Sequence, residues 1–406
     1  MALTASPQSS FDGQPGPSTV PAPAPAPQTP SKGSTSTSTI TYRGMKVFDV
    51  VSAYKRALED EKVPHPIAAI LALVELMEAS TAATITGLAQ ELTVGRQLLV
   101  DTQASLGVRA GCQLWERFFA LSAGSEDFPA YKRSLIVQGR SFCSVTAPQC
   151  RQKIAELAVG FLRDDCTILT HSYSRTVIQT ILRAHKQHKR VKVYVTEARP
   201  GCLGMRTHQV LTAAGIPCNV VLDSAVAYIM ERVDMVLVGS EAVVESGGLV
   251  SSVGTYQVAL IAKAMQKPFH ALAESYKFLR YYPLSQTDLP MPKPPTGEPS
   301  IVPLSFPSFA PTGSRSAQPH ASGPVAAPPA SSTPVSSNTP QALGTPVSVD
   351  SAGASLHRVE MTLEMEKLHP LVDVTTPDLI DFIITDLGAP LSPTSVSQYL
   401  VAQFSS

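Results

Sequence analysis

The chain has no net charge to speak of: 32 Lys and Arg balance 32 Asp and Glu across 406 residues. That balance removes the long-range field on which a nucleic-acid or anionic-membrane binder relies, so neither is expected as a direct partner. No apolar run approaches the ~20 residues that a membrane span needs. The first residues carry neither the basic nor the apolar block of a secretory signal, and we expect a soluble protein of the cytosol. Cysteine is scarce. Cys112, Cys143, Cys150, Cys166, Cys202 and Cys218 are scattered with no C-x-x-C pair, which argues against a zinc or redox site and predicts buried, reduced thiols. Also missing are a G-x-G-x-x-G after the first strand, a G-x-x-x-x-G-K-[ST] loop and a G-x-S-x-G elbow. Dinucleotide or triphosphate binding by the usual loops, and hydrolase chemistry of the elbow type, therefore have no support. No metal and no cofactor is expected.

Proline is abundant, and its location divides the chain. Of 35 prolines, 22 fall between Met1 and Ile40 or between Met291 and Asp350. Ser, Thr, Ala and Pro alternate there without apolar periodicity, and the first stretch holds only Asp12 and Lys32 as charges. Such segments bury too little to offset the entropy of ordering. The organisation expected is a disordered tail (1–40), an N-terminal helical domain (41–148), an α/β domain (149–290), a disordered Pro/Ser-rich insertion (291–355) and the C-terminal part of the α/β domain (356–406).

In the helical part, Val47, Val50, Val51, Tyr54 and Leu58 recur at helical spacing. Pro66 sits where a first turn tolerates it, ahead of Ile67, Ile70, Leu71, Val74 and Leu76. Thr84 can cap a further helix through Leu88, Leu92 and Leu99. Trp115, Phe118 and Phe119 read as core. Beyond Gln149 the pattern becomes short apolar strands alternating with helical segments. The strands are Cys166 to Thr170, Val191 to Thr196, Cys218 to Leu222, Asp234 to Gly239 and Pro268 to Ala273; the clearest helices are Arg175 to His188 and Thr255 to Gln266. This is the signature of a parallel sheet built from right-handed crossovers.

Ligands of such sheets sit at the carboxyl ends of the strands. The residues there are Thr170-His171-Ser172-Tyr173-Ser174-Arg175, Thr196-Glu197-Ala198-Arg199-Pro200, Asp223-Ser224-Ala225, Gly239-Ser240-Glu241 and Glu245-Ser246-Gly247-Gly248. Hydroxyls, glycine amides and arginine suit a phosphate or phosphosugar; ordinary polar loops would look the same. His171 beside Ser172 is poor geometry for a nucleophile and its base, because neighbours along a strand point to opposite faces. The basic run Arg183, Lys186, Lys189, Arg190 and Lys192 reads as a solvated helix end or as a surface for an acidic partner.

Longer motifs add a family resemblance. Ile168-Leu169-Thr170-His171-Ser172-Tyr173-Ser174-Arg175, Tyr194-Val195-Thr196-Glu197 and Val221-Leu222-Asp223-Ser224-Ala225 come in order, followed by Val243-Val244-Glu245-Ser246-Gly247-Gly248, Ala273-Glu274-Ser275-Tyr276-Lys277-Phe278 and His369-Pro370-Leu371-Val372-Asp373. Together they resemble the alpha subunits of the eukaryotic initiation factor 2B alpha/beta/delta family. The resemblance implies a helical domain followed by a Rossmann-like domain that pairs with a second copy. It implies an alpha homodimer bridging two sets of beta, gamma, delta and epsilon subunits into a decamer that exchanges guanine nucleotide on initiation factor 2, the epsilon subunit supplying the exchange activity. The alpha subunit would be a non-catalytic regulator that helps sense the phosphorylated alpha subunit of initiation factor 2 during stress. The matching segment for that contact is Thr84, Thr86 and Gly87, where a plain helix cap explains Thr84 equally well.

The same fold resembles isomerases of methylthioribose 1-phosphate and ribose 1,5-bisphosphate, which use a cysteine and an aspartate. Here the aspartate matches Asp223, but Ser172 replaces the cysteine and Tyr173 the asparagine after it. A hydroxyl lacks a thiol's acidity and cannot stand in without an activating base. Ser251-Ser252-Val253-Gly254-Thr255 replaces the isomerases' N-K-I-G-T and loses its cation. The candidate phosphosugar pocket comprises His171, Ser172, Tyr173, Arg175, Arg199, Asp223, Gly247 and Gly248, with no catalytic residue assigned.

Overall fold

The computed structural model describes residues 39–42, 45–121, 127–290 and 370–404. The tail and the insertion expected from the sequence lie outside these residues, apart from Thr39 and Ile40, which belong to the first strand.

A two-stranded antiparallel hairpin opens the described chain, β1 (Thr39–Tyr42) with β2 (Met45–Phe48). Val47, expected on a helix, is therefore in a strand. The helix starts later because Asp49 caps it: its carboxylate accepts from the Ser52 backbone N–H at 3.0 Å, fixing α1 at Val50–Leu58. Four more helices follow, α2 (His65–Ala79) with Pro66 in its first turn, α3 (Ile85–Thr102), α4 (Leu106–Leu121) and α5 (Phe128–Ser141). α2 is apolar nearly all round and is the buried centre of this bundle, with Ile70, Leu73, Val74 and Met77 inaccessible. Trp115 is buried in the same core, and Phe118 and Phe119 pack on its margin. A π-helical turn (Phe142–Thr146) leads into α6 (Ala147–Ala158).

The α/β part that follows is a six-stranded sheet in the order β12-β9-β6-β3-β4-β5, every pair parallel. Its strands are β3 (Cys166–His171), β4 (Val191–Thr196), β5 (Cys218–Val221), β6 (Met235–Gly239), β9 (Phe269–Leu272) and β12 (Phe382–Ile384). The helices are α7 (Arg175–Lys186), α8 (Gly204–Ala213), α9 (Val226–Met230), α10 (Thr255–Ala264) and α11 (Val396–Phe404). Alternation along β6 shows both faces covered. Met235 and Leu237 pack with Ile154, Val177 and Leu211, while Val236 and Val238 pack with Ile229, Val258 and Leu400.

A second, four-stranded sheet runs β10-β7-β8-β11. β7 (Ala242–Val244) and β8 (Leu249–Ser252) form a hairpin; β10 (Phe278–Leu279) joins β7 in parallel and β11 (Val372–Thr375) joins β8 antiparallel. Leu106 and Ala110 of α4 pack on this sheet, and Tyr276, next to β10, is buried in the helical core. The helical and α/β parts thus share apolar packing on both sides of Tyr276. No helix among the described residues is long and apolar enough to cross a membrane.

Candidate functional site

Strand order reverses between β3 and β6, and in doubly wound sheets that crevice is where ligands bind. A cleft of about 190 Å3 opens there. Ser172 to Thr176 line it from the β3–α7 loop, Gly239 to Glu241 from the end of β6, and Ser251, Ser252 and Thr255 from β8 and the start of α10. Glu274 and Lys277 follow β9, and Pro64, His65 and Pro66 close the cleft from the entry to α2.

His171 is the pin of this arrangement. Its Nε2 lies 2.9 Å from the Val253 carbonyl, which can only accept, so Nε2 carries the proton. Nδ1 then accepts from the Thr196 hydroxyl at 2.6 Å. The ring is 4% exposed, and burial pushes its pKa below the usual histidine range, only partly offset by the Asp223 charge. A neutral imidazole with both nitrogens committed has no lone pair left to act as a base. Ser172 follows with φ of 62°, in the left-handed region. Its hydroxyl accepts from Ser252 Oγ at 3.1 Å, and its carbonyl accepts from Thr207 Oγ1 at 2.7 Å.

Charge in the cleft is partly cancelled. Lys277 Nζ sits 2.7 Å from Glu274 Oε2 and donates to the Ser240 carbonyl at 2.8 Å. Burial would raise the Glu274 pKa, but Lys277 and the Thr176 hydroxyl, 2.8 Å from Oε1, hold it below the ordinary glutamate value. Glu241 accepts from Ser105 Oγ at 2.7 Å. Arg175 donates to the Glu61 carbonyl at 2.8 Å; among the described residues no carboxylate lies within ion-pair distance of it. The N-terminus of α7 opens on the same space, capped by Ser174, whose hydroxyl accepts from the Val177 N–H at 3.4 Å.

The residues anticipated from sequence separate into three groups. His171, Ser172, Tyr173 and Arg175 meet on the cleft. Asp223 and Arg199 stand beside it without lining it. The Asp223 carboxylate accepts from the backbone N–H groups of Ala198 and Arg199 at 2.9 and 2.8 Å, holding the loop after β4, and Arg199 Nε lies 3.5 Å from Glu197. Gly247 and Gly248 form the β7–β8 turn, where Val244 donates to the Gly248 carbonyl at 3.0 Å. A Cβ on Gly247 would lie 2.0 Å from the Pro393 carbonyl oxygen, so its neighbour is backbone and not the cleft. Two carboxylates share the cleft with Ser172: Glu241, placed two residues past β6 where the strand-end rule points, and Glu274, which with Lys277 stood in a family motif but was not assigned to the pocket. Thr84 and Gly87 stand apart at the start of α3, with Thr84 Oγ1 accepting from the Gly87 N–H at 3.1 Å, and Thr86 is exposed beside them. Within the basic run, Arg183, Arg190 and Lys192 pair with Glu156, Asp164 and Asp165, and Lys189 donates to two carbonyls. All six cysteines are free thiols, and burial pushes Cys112, Cys143 and Cys150 up to about 12.

Residues 62–391 match the initiation factor 2 subunit family. The chain belongs to that family. Among its relatives is the Dictyostelium discoideum protein named translation initiation factor eIF2B subunit alpha, 39% identical over 251 residues, which are 60% of this chain and 78% of that protein. Also similar is the Archaeoglobus fulgidus ribose 1,5-bisphosphate isomerase, 35% identical over 160 residues, 39% of this chain and 51% of that enzyme. The fold likeness extends to a subunit in the crystal structure of the tetrameric eIF2B-beta2-delta2 complex from C. thermophilum. It has a TM-score of 0.59 at 16% identity and covers 87% of this chain and 94% of that one. This chain is therefore similar both to a protein named as a translation factor and to a protein named as an enzyme, and the cleft must be read with both in view.

Proposed function

We propose that the chain is a regulatory, non-catalytic alpha subunit of the initiation factor 2B guanine-nucleotide exchange complex. It pairs with a second copy, bridges two sets of beta, gamma, delta and epsilon subunits into a decamer, and helps sense phosphorylated initiation factor 2 in the cytosol during the integrated stress response. The likeness to an alpha subunit over 78% of that protein's length supports this. The observation that carries the non-catalytic half is the state of Ser172. Its hydroxyl meets the Ser252 hydroxyl, and the neighbouring imidazole has both nitrogens engaged, so among the described residues no base is hydrogen-bonded to the serine hydroxyl.

Co-purification from cells tests the assembly. Recovery of beta, gamma, delta and epsilon subunits with the tagged chain is expected, together with a dimer of the isolated chain in equilibrium sedimentation. Recovery of the chain alone, with no affinity for those subunits on mixing, would overturn the proposal. Ring-opening assays with ribose 1,5-bisphosphate and methylthioribose 1-phosphate are expected to show no turnover. Turnover that vanishes in Glu241→Gln would make the chain an enzyme.

A second reading, a phosphosugar-binding homodimer of the same fold, is favoured by Arg175. A half-buried guanidinium facing a cleft, with a carbonyl as its partner and no carboxylate within ion-pair distance among the described residues, suits an anionic ligand. Such binding is compatible with the regulatory role and needs no turnover.

A further inference from the structure

Arg151 of α6 and Arg175 and Arg206 of the α/β part converge on two adjacent residues of the loop between α1 and α2. Arg175 Nη1 donates to the Glu61 carbonyl at 2.8 Å. Arg206 Nη2 donates to the Glu61 carboxylate. Arg151 Nη2 donates to the Lys62 carbonyl at 3.3 Å. The same three side chains also touch the cleft or a residue that lines it. Arg175 lines it directly; Arg206 stacks over the ring of Tyr173, a lining residue, at 4.5 Å; Arg151 Nε lies 3.6 Å from Glu274, another lining residue. The loop continues without interruption into Pro64, His65 and Pro66, which form one wall of the cleft. Each arginine is thus a link between what the cleft holds and how firmly its wall is fastened.

We propose that residues 60–64 are a strap over the cleft whose fastening by Arg151, Arg175 and Arg206 is coupled positively to the binding of a phosphate monoester within it. This rests on the phosphosugar reading above. A guanidinium carries five N–H donors in a fixed fork, and the Glu61 carbonyl occupies only one nitrogen of Arg175. A phosphate can therefore take the remaining donors without displacing the strap. Fixing the guanidinium from one side lowers the entropy cost of holding it from the other, so ligand and strap reinforce each other. Coupling of this kind is reciprocal: the fastened strap tightens the ligand by the same factor by which the ligand tightens the strap, so loosening the strap weakens the ligand. Glu61 and Arg206 belong to the strap's fastening and do not line the cleft, so they separate fastening from direct contact.

The test uses the full chain and ribose 5-phosphate, followed by calorimetry, with hydrogen exchange read on the peptide spanning residues 59–66. Binding to the unaltered chain is expected to slow exchange in that peptide. Glu61→Ala and Arg206→Ala are each expected to weaken binding three- to tenfold, mainly through faster dissociation, with the thermal midpoint little changed. Arg175→Gln is expected to abolish binding and also to speed exchange of the peptide without ligand. Unchanged affinity in both Glu61→Ala and Arg206→Ala, while Arg175→Gln loses binding, would overturn the strap and leave the phosphosugar reading intact. No binding by the unaltered chain would overturn both. Unchanged exchange in Arg175→Gln would remove the fastening role of Arg175 whatever the ligand does.

Discussion

Gly254 is pressed against the imidazole of His171. A Cβ built on Gly254 would lie 2.7 Å from His171 Cε1, and the backbone there holds φ at +103°. Both facts demand glycine, one by space and one by conformation. Gly254 immediately precedes α10 and follows Val253, whose carbonyl accepts the hydrogen bond from His171 Nε2. Gly254→Ala is expected to destabilise the chain by about 1–3 kcal/mol, the range for a strained backbone position, with an added cost from moving the ring. Denaturant unfolding measures this. A loss below about 0.5 kcal/mol would show that the ring moves freely and is no pin.

Asp373 predicts an unusual response to pH. One oxygen accepts from the Gly254 and Tyr256 backbone N–H groups at 2.7 and 3.0 Å, capping α10 from a strand more than a hundred residues away. Burial outweighs those bonds and raises its pKa from 3.8 to about 6. A group raised on folding contributes stability that is fully present below 3.8 and lost as pH rises through about 6. Asp373→Asn keeps an acceptor for both N–H groups and removes the titration. Relative to the unaltered chain, the variant should gain on the order of 2–3 kcal/mol between pH 4 and pH 7. Parallel stability curves for the two chains across that range would contradict the assignment.

Five of the six strands of the large sheet were legible because each is a run of mostly β-branched and aliphatic residues bounded by polar punctuation; β12, three residues long and beyond the insertion, was not. Val191 to Thr196 coincides with its strand, and the other four differ by one or two residues at their ends. The small sheet was not legible. Its strands span two to four residues, too short for a period to show, and β11 joins from beyond the insertion. Gly247 and Gly248, expected at the candidate phosphosugar pocket, form the turn of a hairpin in this sheet and do not line the cleft. Asp223 illustrates a different limit. Its place after a strand was correct, but which way a carboxylate turns depends on the amides of Ala198 and Arg199, supplied by another strand's loop. Glu241 and Arg175 become neighbours on the cleft only when the crossovers bring β3 and β6 together.

Thr84 separates a cap from a contact. Its hydroxyl accepts from the Gly87 N–H at the exposed start of α3. Thr84→Ala should cost about 1 kcal/mol of stability, and Thr84→Ser, which keeps the hydroxyl, should restore most of it. If these residues also meet the phosphorylated factor, affinity should fall in Thr86→Ala as well, where no cap is at stake. Thermal melts and pull-down with phosphorylated and unphosphorylated factor read the two roles apart. Normal discrimination in both alanine variants would leave this segment as a helix start and nothing more.

Glu274 is the other buried carboxylate with consequences, and its sign is opposite to that of Asp373. It is 2% exposed and lies between Lys277, Arg151 and the Thr176 hydroxyl. Burial works against its charge, yet Lys277, helped by hydrogen bonds from the backbone and the Thr176 hydroxyl, wins and the pKa falls below the ordinary value. A group depressed on folding gives stability that is present above its unfolded pKa and lost as pH falls. Glu274→Ala would leave Lys277 and Arg151 facing each other with no negative charge between them. Removing one member of a buried pair costs about 3–5 kcal/mol, mostly because the partner stays desolvated. Lys277→Met paired with Glu274→Gln removes charge on both sides and should recover a large part of that loss. Because Tyr276 lies between the two residues in sequence and is packed in the helical core, the single variant should also loosen the helical part. Hydrogen exchange in α2 should therefore rise in Glu274→Ala and return towards normal in the double variant; equal exchange in all three chains would confine Glu274 to local ion pairing.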